Sequence, residues 1–198
     1  MYMIEKISKM SGIYLSFLAG VLLICIPLYQ NHLRNQPLIT NDPNLFKTPV
    51  AIQAPIEKKV ISGKPVHITI PSLGIDLSVI DGVYQADRKK WTVSDTAAVY
   101  ATETALANDS YGSTFIYGHN QAGVFDVLLN IQPSAEAIIT ADNGRIFVYT
   151  FRASMQTVPE DTDALHYQGK PILTLQTCTG AWLQYRTHFV FDFKEVRT

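Results

Sequence analysis
Ile172-Leu173-Thr174-Leu175-Gln176-Thr177-Cys178 is a short, β-prone run that ends on a thiol. Alternation puts Ile172, Thr174, Gln176 and Cys178 on one face of a strand and Leu173, Leu175 and Thr177 on the other. Thr179-Gly180 then turns the chain, so the thiol is expected at a strand end, where a rigid element presents it at a rim. Arg186 follows at the start of a second alternating run, in which Phe189, Phe191 and Phe193 share a core face and Arg186, His188 and Val190 the other. A connecting loop between the two runs brings guanidinium and thiol to the same rim.

Composition places these strands in a β-rich domain. The chain has 198 residues, 47% apolar and 17% charged, which suits one folded domain with appendages. Ten Tyr and nine Phe, with many Thr, Val and Ile after residue 65, favour strands. A net charge of -1 and the lack of a basic stripe exclude nucleic acid as a partner. The two cysteines, Cys25 and Cys178, lie in segments expected on different sides of a membrane boundary, so no disulfide is expected between them.

Residues 11–29 carry no charge and match the ~20 residues that cross a bilayer as a helix. Lys6 and Lys9 precede the run, which places residues 1–10 in the cytoplasm and the remainder outside, behind an uncleaved signal anchor. Residues 30–63, rich in Asn, Gln, Thr and Pro, read as an extracytoplasmic linker, and the folded domain as residues 64–198. Within it, Val66 to Ile70 and Ile75 to Ile80 alternate around the turn Pro71-Ser72-Leu73-Gly74. An Ala-rich stretch, 95–107, predicts a helix, and 124–129 a second, short one. Strands are predicted at 112–119, 137–140, 145–153, 172–178 and 186–193. Seven or eight strands with one or two short helices make a closed or nearly closed barrel, which leaves no free edge.

A cysteine nucleophile needs a base or cationic neighbour. Four histidines lie in the domain: His67, His119, His166 and His188. His67 is mid-strand, His166 lies in a loop, and His188 sits beside Arg186 on one face. His119 is the best placed, at a strand end after Tyr117-Gly118 and before the loop Asn120-Gln121-Ala122-Gly123. A lone buried cysteine is more often an inert filler. Here Cys, His and Arg coincide at three strand ends.

The order Gly118-His119, then Thr174-Leu175-Gln176-Thr177-Cys178, then Arg186, with Ile70-Pro71-Ser72-Leu73-Gly74-Ile75-Asp76-Leu77 opening the domain, closely resembles the sortases, bacterial surface transpeptidases. The resemblance covers roughly residues 65–197. It implies an eight-stranded β-barrel behind an N-terminal membrane anchor in the bacterial cell membrane, and cleavage of a Leu-Pro-x-Thr-Gly type C-terminal sorting signal. Carried over, Cys178 attacks the Thr to Gly carbonyl, His119 protonates the leaving amine, and Arg186 stabilises the oxyanion. Thr177 would assist at the oxyanion or the substrate threonine, and Trp182 would contact the peptide. The implied partners are surface proteins bearing the signal and an amine acceptor, either a peptidoglycan precursor or a pilin lysine. No cofactor is expected. Glu160, Asp161 and Asp163 resemble the calcium site of some sortases, but three acidic loop residues fall short of the six or more oxygens calcium takes. Two other readings stay open, a tethered binding module with an inert Cys178 and a hydrolytic cysteine peptidase.

Overall fold
Val66 to Ile70 and the run after Gly74 pair antiparallel as β1 (Pro65–Ile70) and β2 (Ile75–Gly82) in the computed structural model. Between them Pro71–Leu73 makes one 3-10 turn, closed by Gly74 at φ 65, a left-handed conformation that glycine adopts without strain. The described residues are 20–26, 42, 44–47, 59–85, 87 and 90–198. They fall into two units, Met1–Gln36 and Pro37–Thr198.

Among the described residues of the second unit six more barrel strands follow: β3 (Ala98–Ala101), β4 (Ser113–Tyr117), β5 (Glu136–Ala141), β6 (Ile146–Thr157), β7 (Ile172–Thr179) and β8 (Tyr185–Arg197). They close a barrel in the order β6-β8-β7-β4-β3-β2-β1-β5. Two seams are parallel, β2 with β3 and β4 with β7; the others are antiparallel. A second 3-10 turn, Asp126–Asn130, occupies the predicted short helix.

Alternation sorts the side chains into two layers. Ile68, Ile116, Phe147, Leu173, Leu175, Phe189 and Phe191 fill the barrel interior. A second cluster covers part of the outside, where Val99, Ala101, Phe115, Tyr117, Ile172 and Val190 lie beneath Ala164 and Tyr167 of the β6–β7 connection. The outer face of β8 is therefore buried in part as well, at His188 and Val190. Phe193, expected in the core, is only partly buried.

The Ala-rich stretch departs from expectation. Residues 95–107 form no helix, because Ala98–Ala101 is β3, buried on every residue between β2 and β4. Small side chains allow a strand to be covered on both faces, and pairing on two sides outweighs the helical preference of alanine.

The predicted span 11–29 lies mostly outside the described residues. Residues 20–26 are helical, with Val21, Leu22, Leu23, Ile24 and Ile26 exposed. Among the described residues no helix is long and apolar enough to cross a membrane. Most of the expected linker 30–63 also lies outside them. Its described part includes Leu45 and Phe46, both buried against the outer cluster, with the Phe46 ring 5.6 Å from His188 and 6.5 Å from Tyr167.

Candidate active site
Cys178 is the penultimate residue of β7, on its outer face and half-buried. Antiparallel pairing sets it directly opposite Arg186 at the start of β8. Directly paired residues hold their Cβ atoms about 5 Å apart. The Arg186 Nη1 donates to the carbonyls of Leu183 and Tyr185, each at 3.1 Å, which parks the guanidinium over the β7–β8 turn. Arg186 forms no ion pair among the described residues, so its charge is available to an incoming anion.

His119 arrives from the other side. In the parallel seam Tyr117 pairs with Gln176, and continuing that register brings His119 level with Cys178 on the neighbouring strand, about 5 Å across. Gly118 fixes this continuation. Its N–H donates to the Gln176 carbonyl at 3.0 Å, and its own carbonyl accepts the Thr177 hydroxyl at 2.9 Å. A Cβ at Gly118 would stand 2.8 Å from Val124 Cγ1 and 2.9 Å from Phe125 Cδ2, so only glycine fits without displacing the turn beneath. The thiol is thus bracketed, Arg186 on one flank and His119 on the other.

The His119 side chain is 40% exposed, with Nε2 3.9 Å from the Asp95 carboxylate, an exposed contact of little energetic weight. His188 is its opposite. It lies on the same face of β8 as Arg186, buried, with Nε2 hydrogen-bonded to the Thr157 hydroxyl at 3.0 Å and Nδ1 unpartnered. Burial pushes its pKa down to about 4, against a smaller upward pull from Asp161 and with a further downward push from Arg186. At neutral pH it is an uncharged imidazole and lacks the acidic proton of an imidazolium.

That burial makes stability pH-dependent. The folded-state value lies below the ordinary 6.5, so the unfolded chain binds the proton first, and stability present above pH 6.5 is lost as pH falls toward about 4. The full loss amounts to about 3 kcal/mol. Urea unfolding at pH 7 and pH 4.5 should show this loss in the natural protein and a smaller one in His188→Leu. Equal losses in the two proteins would remove His188 as the cause.

Cys178, His119 and Arg186 all line one cleft of about 230 Å³ on the outer face of β8, β7, β4 and β3. Its floor includes Phe115, Tyr117, Gln176 and His188, and its far walls are Trp91, Pro159 and Leu165. The Tyr117 hydroxyl donates to the Thr92 carbonyl at 2.7 Å, and burial raises its pKa, so it stays a neutral donor.

The other expected site residues stand apart. Thr177 faces the barrel interior, fully buried, and reaches the cleft only through Gly118. Trp182 is 88% exposed and lies off the cleft wall. The expected groove loop 156–169 does contribute, through Pro159, Asp161, Thr162, Ala164 and Leu165. His67 hydrogen-bonds Asp76 away from the cleft. The Asp161 carboxylate accepts the Asp163 N–H at 3.1 Å, and among the described residues no three His, Cys, Asp or Glu are placed to hold a metal. Gln176 shares the Cys178 face, so alternation alone marks it; Trp91, brought in by the two-residue ribbon Tyr84–Gln85 with Lys90–Trp91, leaves no such signal.

A family model for the sortase domain matches residues 68–194. Among solved structures, sortase E1 from Streptomyces coelicolor with a tripeptide in the active site superposes with a TM-score of 0.54 at 19% identity, covering 69% of this chain and 90% of that one. The SrtA sortase from Actinomyces oris gives 0.56 at 18%, covering 73% and 87%. A lid mutant of sortase A from Corynebacterium diphtheriae gives 0.55 at 23%, covering 71% and 74%. At these identities the structural likeness speaks for the fold. No match to a curated protein was found.

Proposed function
The chain belongs to the sortase family of cysteine transpeptidases, and from that premise we propose that it cleaves a Leu-Pro-x-Thr-Gly type sorting signal and passes the acyl half to an amine. The observation that carries this reading is the bracketing of Cys178 by Arg186 and His119 across two adjacent strands. The Cys178 thiolate attacks the scissile carbonyl, and the oxyanion forms beside the Arg186 guanidinium. As the C–N bond breaks, the amine departs with a proton from the His119 imidazolium, leaving a thioester. An incoming amine then attacks the thioester carbon, gives a proton to His119, and expels the thiolate. The partners are surface proteins with the signal, and a peptidoglycan precursor or pilin lysine as acceptor.

The uncharged run 11–29 and the exposed apolar helix at residues 20–26 support a membrane anchor with the catalytic domain outside.

Incubation with a library of sorting-signal peptides and triglycine tests the proposal. The expected result is ligated product whose share rises with triglycine at the expense of hydrolysis. Acid product alone at every amine concentration would replace the transpeptidase with a hydrolytic peptidase. No acyl-enzyme and no product with any peptide would favour a binding module.

A further inference from the structure
A second hollow adjoins the cleft that holds Cys178 and shares with it the lining residues Trp91, Ala101, Pro159, Thr162 and Leu165. The hollow adds Tyr84, Glu103, Thr104 and His166. Resting on the transpeptidase reading, we propose that this hollow is a subsite for a basic residue, Lys or Arg, immediately N-terminal to the sorting motif.

The strand registers supply the ruler. Val99 of β3 pairs with Tyr117 of β4, and Tyr117 with Gln176 of β7, so these three form one cross-strand row. Ala101, two residues further along antiparallel β3, is level with Phe115 and hence with Thr174. Ala101 therefore lies about 13 Å along the strands and about 10 Å across them from Cys178, a diagonal of about 16 Å, or about five residues of extended peptide. The acyl half must stay bound through the thioester stage while the leaving half departs, so the acyl half occupies the walled cleft. With its reacting carbonyl at Cys178, its fourth or fifth residue back from the cut reaches Ala101. The residue next before a four-residue Leu-Pro-x-Thr segment enters the hollow.

The lining selects the charge. Glu103 is exposed and has no ion-pair partner among the described residues, and no Lys or Arg lines the hollow. The His166 Nδ1 donates to the Thr162 carbonyl at 2.9 Å, which leaves Nε2 as an acceptor in the neutral ring. Tyr84 and Trp91, with ring centroids 5.4 Å apart, add aromatic faces. Carboxylate, acceptor nitrogen and aromatic rings together suit an ammonium or guanidinium.

Steady-state kinetics decide it. Peptides with a Leu-Pro-Ala-Thr-Gly core preceded by Lys-Lys, Ala-Ala or Glu-Glu are compared with triglycine as acceptor. The natural enzyme should show a KM about fivefold lower for Lys-Lys than for Glu-Glu at equal kcat, and Glu103→Lys should invert that order. Equal KM values across the flanks, or a Lys preference that survives Glu103→Lys, would overturn the subsite while leaving the transpeptidase reading intact. No turnover of any peptide would overturn that reading and the subsite with it.

Discussion

Cys178→Ala is expected to lose transpeptidation entirely, a fall of more than about 10⁴-fold in kcat. The size of the effect follows from what the thiol alone contributes. Without Sγ no thioester forms, and the two-step route collapses to direct attack of amine on a peptide bond, for which the cleft offers only binding and a cation. The only other cysteine, Cys25, belongs to the separate unit Met1–Gln36. Cys178→Ser keeps the size of the group, yet a hydroxyl needs a stronger base than a half-exposed imidazole, so it too should be nearly inactive. Mass spectrometry of enzyme quenched during turnover reads the chemistry directly. The acyl mass should appear on the peptide containing residue 178 in the natural protein and nowhere in the alanine variant. Ligation by Cys178→Ala at the natural rate would end the assignment.

Arg186→Ala should lower kcat/KM by about 10² to 10³, the usual cost of removing one oxyanion donor. Arg186 is the direct cross-strand partner of Cys178, so its guanidinium, held by the Leu183 and Tyr185 carbonyls, lies on the rim where charge develops. Arg186→Lys should recover only part of the loss. A point charge restores attraction, but it lacks the planar fork that bonds the Leu183 and Tyr185 carbonyls while keeping other N–H groups free. Single-turnover acylation separates the two contributions, with the rate constant falling more than peptide affinity. A change within twofold in Arg186→Ala would assign the oxyanion to other donors.

Much of the site was legible because it is local. Alternation placed Cys178 and Arg186 on outward faces at strand ends, and the short interval between them made a hairpin-like turn the simplest connection. His119 was legible as a strand-end residue, but its neighbour was not. Periodicity reports which face a residue occupies and is silent on which strand lies beside it, and the β4–β7 seam joins segments far apart in the chain. Thr177 illustrates the same limit. Alternation set it on the face opposite Cys178, whereas its hydrogen bond to the Gly118 carbonyl needs the partner strand in place. The failed helix at 95–107 has a different origin. Alanine carries a helical preference of a few tenths of a kcal/mol per residue, and that is small beside pairing on two sides with burial on both faces. Trp182 was expected at the groove because it is large and near Cys178, but it stands in the solvent on the β7–β8 turn. Phe46, in a stretch that reads as linker, gave no sign of its place against His188.

The parallel seam also bears on how the molecule comes to be reactive. The Thr177–Gly118 bond closes a loop of 59 residues, and a parallel pair has no tight turn to nucleate it. Contacts of such range form late and slowly, since chain entropy must be lost before any pairing is gained. Cys178 and Arg186 can meet early, as neighbours across one short turn. The imidazole joins them only when the β4–β7 seam zips. A partly folded form with that seam open therefore holds Cys178 apart from His119, and on the transpeptidase proposal closure of the barrel doubles as the step that arms the site.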